Sequence, residues 1–314
     1  MTEEQGDASV AVHREIGGLD TEQVNDEYSH LDAQSTTELV RAMNREDASV
    51  AAAVARAEPE IASAIDGIAD RMRRGGRLIY VGAGTPGRLG VLDASEIPPT
   101  FGLDPDRVIG VIAGGDGAIR SAAEGAEDDS ALGAQDMAQR DVTELDTVVG
   151  ISASGRTPYV LGAVKYAREQ NALTVGLACN SGSALGRAAD VPIEVVVGAE
   201  IISGSTRLKA GTAQKMVLNM LSTLTMVRLG KTYGTLMVDL QITNEKLRAR
   251  AERTIMRATG CSREHAADQL DAADGSVKTA IVALLAGLPA ADARAALAQA
   301  DGFIRDALTR ENSR

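Results

Sequence analysis

Tryptophan is absent from this chain, and tyrosine and phenylalanine together make up only 2% of it. The core must therefore come from alanine, valine, leucine and isoleucine, which favours close-packed helices and buried parallel strands. Cysteine is nearly absent. Cys179 and Cys261 lie far apart and neither has a CxxC neighbour, so the expectation is a reduced, cytoplasmic setting. Histidine is scarce as well: His13, His30 and His265 are scattered, with no HxxxH or Cys/His cluster, so no metal is expected. There is no GxSxG elbow to support a Ser-His-Asp hydrolase. Basic residues are outnumbered, 32 against 44 acidic, for a formal net charge of -12. That balance argues against a nucleic-acid partner, which needs a basic face, but it leaves room for a small anion held by a local backbone cradle. No uninterrupted apolar run approaches membrane-spanning length, and the opening MTEEQGDASV is acidic and polar, unlike a signal peptide. A membrane partner is not expected.

The 314 residues suffice for one large α/β domain with appended segments, or for two domains. The most informative stretch is RLIYVGAGTPGRLGVLDASEIPPTFG, from Arg77 to Gly102. An apolar run (Leu78 to Val81) breaks into Gly82, Ala83, Gly84, Thr85, Pro86 and Gly87, and a helix should follow, ending at Ser95, Glu96 and the double proline Pro98-Pro99. A strand, a glycine-rich turn and a helix make a ready anion site, because glycines let the backbone approach and free N–H groups at the helix start point at the ligand.

Residues 1 to about 33 lack periodicity and read as a partly disordered lead followed by an arm. Ser35-Thr36-Thr37-Glu38 has capping-box spacing, with Leu39 and Val40 opening an apolar face. Val54, Ile61, Ile65, Ile68 and Met72 form a helical stripe that Pro59 kinks or restarts and Gly75-Gly76 ends. Further strands are expected at VIGVIA (108–113), TVVGIS (147–152), LTVGLAC (173–179) and PIEVVV (192–197). Helices are expected over 118–132, 157–170 and 206–228, the last with Leu208, Met216, Val217, Met220, Leu221, Leu224 and Val227 inward. Alternating strands and helices imply crossover units and a mostly parallel sheet, with ligands at the carboxyl ends of its strands. Beyond about Glu252 the pattern becomes two or three short helices.

Gly82, Gly84 and Gly87 satisfy GxGxxG, so dinucleotide binding is a competing reading. That fingerprint wants an acid about 20 residues on; the nearest candidate, Asp116, is farther, and Glu96-Ile97-Pro98-Pro99 should break a long Rossmann helix. A second loop, Ser152-Ala153-Ser154-Gly155-Arg156-Thr157-Pro158, again places hydroxyls and a glycine between strand and helix. Capping explains either loop alone; together they point to a sugar-phosphate pocket. Its binding candidates are Gly84, Thr85, Gly87, Arg88, Ser152, Ser154 and Gly155. Glu96 and Glu127 are the candidate acid/base pair, Glu127 one helical turn from Glu124. Lys246 could polarise a carbonyl or simply be a surface lysine, and Arg207 and Lys209 could attract the phosphate or only begin a helix.

In order along the chain, GAGTPGRLGVLDASEIPPTFG, IAGGDGAIRSAAEGAEDD, GISASGRTPYV, VGAEIISGSTRLKAGTAQKMVLNML and LMVDLQITNEKL closely resemble the N-acetylmuramic acid 6-phosphate etherase family. The resemblance runs from about Thr21, in TEQVN, through the tail. It implies the sugar-isomerase (SIS) fold, with kinship to the glucokinase regulatory protein: a three-layer αβα sandwich with a mostly parallel sheet, an N-terminal helical arm (1–50), a sugar-phosphate domain (51–250) and a small C-terminal helical bundle (251–314). It also implies a homodimer and cleavage of the D-lactyl ether of N-acetylmuramic acid 6-phosphate by β-elimination and water addition. That reaction calls for neither redox cofactor nor metal. The family's proton donor in DASE falls on Glu96 and its second active-site glutamate on Glu127. The alternatives are a sugar-phosphate-binding regulator without turnover and an aldose–ketose isomerase of the same fold.

One departure matters: the family loop reads GAGTSGR, and here Pro86 stands in place of that serine. Thr85 can still cap the helix, and proline is tolerated at its first position, but one hydroxyl and one N–H leave the cradle. Pro86→Ser is therefore expected to bind a sugar phosphate several-fold more tightly, the about 0.5–1.5 kcal/mol of a regained hydrogen bond. Equilibrium titration measures this, and unchanged or poorer binding counts against the cradle.

Overall fold

The computed structural model describes residues 17–121, 123, 125–242 and 244–311. Most of the expected disordered lead, with His13, lies outside these residues, as does Glu124. Of the described residues, those up to Ser95 together with those of Asp106–Leu221 form one compact unit; Glu96–Pro105 together with those from Ser222 onward form another.

The first unit opens with an arm of three 3-10 turns, Asp20–Glu22, Asp26–Tyr28 and Leu31–Ala33. Helices α1 (Thr36–Ala48), α2 (Val50–Ala55) and α3 (Glu58–Arg73) follow. The capping box forms: the Ser35 N–H donates to Glu38 Oε2 at 2.8 Å, and Ser35 Oγ accepts from the Glu38 N–H at 3.5 Å. Pro59 sits in the first turn of α3, where its missing N–H costs no bond, so it starts a helix rather than kinking one. Val54, Ile61, Ile65, Ile68 and Met72 are all buried. Val40 is not: it lies one position, about 100° of helical turn, past the half-buried Leu39 and is 64% exposed.

The sheet has five strands, β1 (Leu78–Gly82), β2 (Val108–Ile112), β3 (Thr147–Ile151), β4 (Leu173–Ala178) and β5 (Val191–Glu194), in the order β2-β1-β3-β4-β5. Every pairing is parallel. The intervening helices are α4 (Gly84–Phe101), α5 (Gly117–Arg120), α6 (Ser130–Ala138), α7 (Pro158–Glu169) and α8 (Ala184–Ala188). Ile79, Val81 and Val148 pack with Met137, Val160 and Val164, which puts α6 and α7 on one face. On the other, Gly90 of α4 comes so close to Tyr80 that a Cβ would lie 2.9 Å from the tyrosine Cβ, and Gly67 of α3 meets Leu173. The three layers are thus α, β and α. Helices α6 and α7 cross on glycine: a Cβ on Gly133 would sit 1.9 Å from the Tyr159 carbonyl oxygen, and one on Gly162 equally close to that of Ser130.

Three expectations are corrected. Helix α4 does not stop at Glu96 but carries Pro98 and Pro99 inside it and ends at Phe101, where the Gly102 N–H still bonds the Pro98 carbonyl. The proline argument against a long helix after the glycine loop therefore fails. The single helix expected over 118–132 is instead α5, a 3-10 turn at Ala126–Asp128, and α6. Helix α5 ends at Arg120, where Ser121 is extended; Gly125, at φ 74°, leads into the 3-10 turn, and Asp129 starts a new helix by accepting the Ala131 and Leu132 N–H groups. In α9 (Lys209–Arg228), Leu224 and Val227 face solvent, while Ala213, Val217, Leu221 and Thr225 are buried. Both sets have helical spacing, so periodicity alone does not say which turns inward. The helix begins on Glu200, whose buried carboxylate accepts the Lys209 and Ala210 N–H groups at 3.0 Å; burial pushes that carboxyl up.

The second unit holds a hairpin of β6 (Thr232–Tyr233) and β7 (Leu236–Met237), then α10 (Glu245–Thr259), α11 (Arg263–Ala272), α12 (Val277–Ala286), α13 (Ala290–Gln299) and α14 (Ile304–Glu311). Their core is built on Ile255, Leu270, Ile281, Val282 and Leu297. The tail beyond Glu252 thus carries the end of α10 and four more helices, where two or three were expected. No single helix among the described residues is long and apolar enough to cross a membrane. Cys179 and Cys261 are free, and burial pushes the Cys179 thiol up to about 12.

Asp146, 2% exposed, ties the starts of two adjacent strands together. It accepts the Arg77 backbone N–H at 2.9 Å, the guanidinium at 2.7 and 3.0 Å, and the Thr143 N–H at 2.9 Å. Burial raises its carboxyl, but these donors outweigh it and hold the group below the usual carboxylate range. Its contribution is then present above about pH 4, the unfolded value, and is lost as pH falls through the lower folded value. Asp146→Asn should lower stability at pH 7 by about 3–5 kcal/mol, as expected for one lost partner of a buried pair. Urea midpoints should also fall less steeply between pH 5 and pH 2 in the variant than in the native chain; equal slopes would refute this account.

Candidate functional site

β1 and β3 are neighbours although β2 lies between them in sequence, and Gly82 stands opposite Ile151 at their carboxyl ends. The chain leaves them side by side, toward β2 on one hand and β4 on the other. Open parallel sheets bind ligands at such a reversal of strand order.

The first loop enters α4 at Gly84, whose φ of 58° suits glycine. Thr85 and Pro86 thus lie in the first helical turn, so Thr85 does not cap the helix from outside as expected. Gly87 is a packing residue: a Cβ there would lie 2.7 Å from both the Gly82 carbonyl oxygen and Ile112 Cγ1. In the second loop, buried Ser152 Oγ accepts the Gly155 N–H at 3.0 Å and shares a hydrogen bond with Thr157 Oγ1 at 2.8 Å. Ser154 Oγ accepts the Arg156 N–H at 3.3 Å. Gly155, at φ 70°, keeps the turn tight, since a Cβ would lie 2.4 Å from Ser183 Cβ.

Both loops open into a cavity of about 620 Å³ within the first unit. That volume is in the range of small-molecule sites. Gly84, Thr85 and Pro86 line it from β1; Ser152, Ser154, Arg156 and Thr157 from β3. Glu127 and Asp128 come from the 3-10 turn, Leu19 and Glu22 from the arm, and Thr206 from the loop before α9. The N-termini of α4 and α7 are at the same place, so helix dipoles and the Arg156 guanidinium favour an anion at the loops. The carboxylates of Glu22, Glu127 and Asp128 instead suit donors such as sugar hydroxyls.

Of the residues expected from the sequence, Gly84, Thr85, Ser152, Ser154 and Glu127 are brought together here. Gly87 and Gly155 shape the loops without lining the cavity, and the Arg88 Nε–H donates to the Ile119 carbonyl at 3.0 Å. Glu96 is exposed and belongs to the second unit, as does Lys246, exposed in the first turn of α10. Arg207 is exposed, and Lys209 is buried in an ion pair with Glu46 rather than offered to a ligand. Sequence reasoning did not single out Glu22, Asp128 or Thr206; the only signal for the first was the TEQVN segment, which has neither periodicity nor glycine punctuation.

Residues 60–168 match the glucokinase regulatory protein N-terminal SIS domain, and residues 127–224 match the SIS domain. The N-acetylmuramic acid 6-phosphate etherase of Streptomyces avermitilis is 57% identical over 304 residues, covering 96% of this chain and 98% of that one. The protein of the same name from Rubrobacter xylanophilus is 57% identical, covering 93% and 97%, and that from Halalkalibacterium halodurans 54%, covering 92% and 97%. Among solved structures, a phosphoheptose isomerase from Francisella tularensis aligns with a TM-score of 0.48 at 19% identity, over 61% of this chain and 98% of that one.

Proposed function

We propose, from the premise that this chain belongs to the N-acetylmuramic acid 6-phosphate etherase family, that it cleaves the D-lactyl ether at C3 of N-acetylmuramic acid 6-phosphate to give N-acetylglucosamine 6-phosphate and D-lactate. The observation that carries this reading is the meeting of two turn-to-helix junctions with Glu127 around one cavity. The junctions grip the phosphate through amides, hydroxyls and helix N-termini, and the carboxylates face the sugar.

An ether at C3 is a poor leaving group, but the open-chain aldehyde makes the C2 proton removable. A carboxylate takes that proton, and the C–H electron pair passes into the enolate. The enolate then forms the C2–C3 double bond and expels the lactyl oxygen, which leaves with its bonding pair and takes a proton from a carboxylic acid. Water adds to C3 of the unsaturated aldehyde, and C2 regains a proton. We assign Glu127 to one of these transfers, and Lys246 to none. The setting is cytoplasmic, in recycling of cell-wall sugar.

The resemblance implies that Glu96 is the proton donor; Glu96 is exposed and is not among the residues that line the cavity. A homodimer in which Glu96 of one copy serves the cavity of the other reconciles that role with that exposure.

In heavy water, N-acetylmuramic acid 6-phosphate should yield free lactate with deuterium at C2 of the sugar product. Lactate without deuterium would mean simple hydrolysis, and binding without lactate a regulator. Glu127→Gln should slow release by roughly 10²–10⁴-fold. Inactive Glu96→Gln and Glu127→Gln chains, unfolded and refolded together, should recover roughly a quarter of native activity, because half the dimers are mixed and each carries one intact site. No recovery on mixing overturns the exchange between copies.

A further inference from the structure

One carboxylate in the cavity comes from neither loop nor from the turn that carries Glu127. Glu22 lies in the arm, and the residues on either side of it are both fastened. Before it, Thr21 is fully buried; its N–H donates to Asn180 Oδ1 at 3.3 Å, and its Oγ1 accepts from Asn180 Nδ2 at 3.1 Å. The same Asn180 amide donates to the Ala153 carbonyl at 3.0 Å, inside the second loop. After it, the Gln23 carbonyl accepts the Ser203 hydroxyl at 3.3 Å, and the Gln23 side chain donates back to the Gly17 carbonyl at 2.7 Å. The Glu22 carboxylate itself lies over Gly204: a Cβ there would be 3.2 Å from Oε2. An arm without helical or strand periodicity is thus pinned at two successive anchors, and the side chain between them is a half-buried acid on the cavity wall.

We infer that Glu22 contacts the substrate, accepting hydrogen bonds from the hydroxyl or amide N–H donors of the sugar while the two loops hold its phosphate. This rests on the sugar-phosphate reading of the cavity. The chemistry favours such a division. A carboxylate beside the anion site repels a bare phosphate, so its place in the wall is useful only to a ligand that also brings donors. A hydrogen bond to a charged acceptor is also about twice as strong as one between neutral groups. The arm thereby becomes part of what selects a sugar phosphate over inorganic phosphate.

The test is calorimetric titration of the full chain with two probes, N-acetylglucosamine 6-phosphate and inorganic phosphate. Glu22→Ala should weaken the sugar phosphate by roughly 10- to 100-fold, the loss of a bond to a charged acceptor, and leave inorganic phosphate unchanged or slightly tighter. Glu22→Gln, which keeps the shape and one acceptor, should fall between. Proportional weakening of both probes would mean that the wall has collapsed, and an unchanged sugar phosphate that Glu22 does not touch it; either overturns the inference. A native chain that binds neither probe would instead refute the sugar-phosphate reading itself. Because binding is read apart from turnover, a chain that binds normally and releases no lactate still decides the role of Glu22.

Discussion

The structure depends on the adjacency of β1 and β3. Parallel strands need crossovers, and a chain that winds first to one side and then to the other leaves a gap where the directions part. Here the pairing of Gly82 with Ile151 sets that gap. Tyr80, Val149 and Ile151 fill one face of the two strands, and Ile79, Val81 and Val148 the other, all fully buried. A slip of one residue would exchange the faces and pull the two loops out of register with each other. The register that packs the core is therefore also the register that builds the cavity.

The second constraint is close approach. In a core with almost no aromatic residues, small side chains bring elements together. Gly87 lets α4 lie against β1 and β2, Gly90 lets it lie against Tyr80, and Gly133 and Gly162 let α6 and α7 cross on their backbones. The same property keeps the two cavity loops tight. Gly155 turns where no side chain fits, and Ser152 bridges the turn through Gly155 and Thr157. The hydroxyls expected to bind a ligand are thus also what holds the loop in shape.

How much of this was legible in the sequence follows from what each signal reports. The five sheet strands were legible because each is a short apolar run closed by turn chemistry, and the two loops because their glycines and serines stand at strand ends. The course of α4 through Pro98 and Pro99 was not, since local propensity argues for a break and tertiary packing of Ile97 and Phe101, both buried, overrides it. Glu127 lines the cavity from a 3-10 turn rather than from a helix, because the chain is extended at Ser121 and at positive φ at Gly125 within what reads as one acidic helix. Leu224 and Val227 were assigned inward because α9 carries two apolar stripes of the same period. Glu22 escaped because an arm held by individual side-chain hydrogen bonds leaves no pattern in sequence. The pinning partners, Asn180 and Ser203, lie more than 150 residues away.

Gly84, Thr85, Ser152, Ser154 and Arg156 bring N–H groups, hydroxyls and a guanidinium to the cavity, and Glu22, Glu127 and Asp128 bring carboxylates. A molecule with an anionic end and a hydroxyl-bearing end would therefore enter in one sense rather than its reverse, a polarity set by which strand ends and which turns meet there.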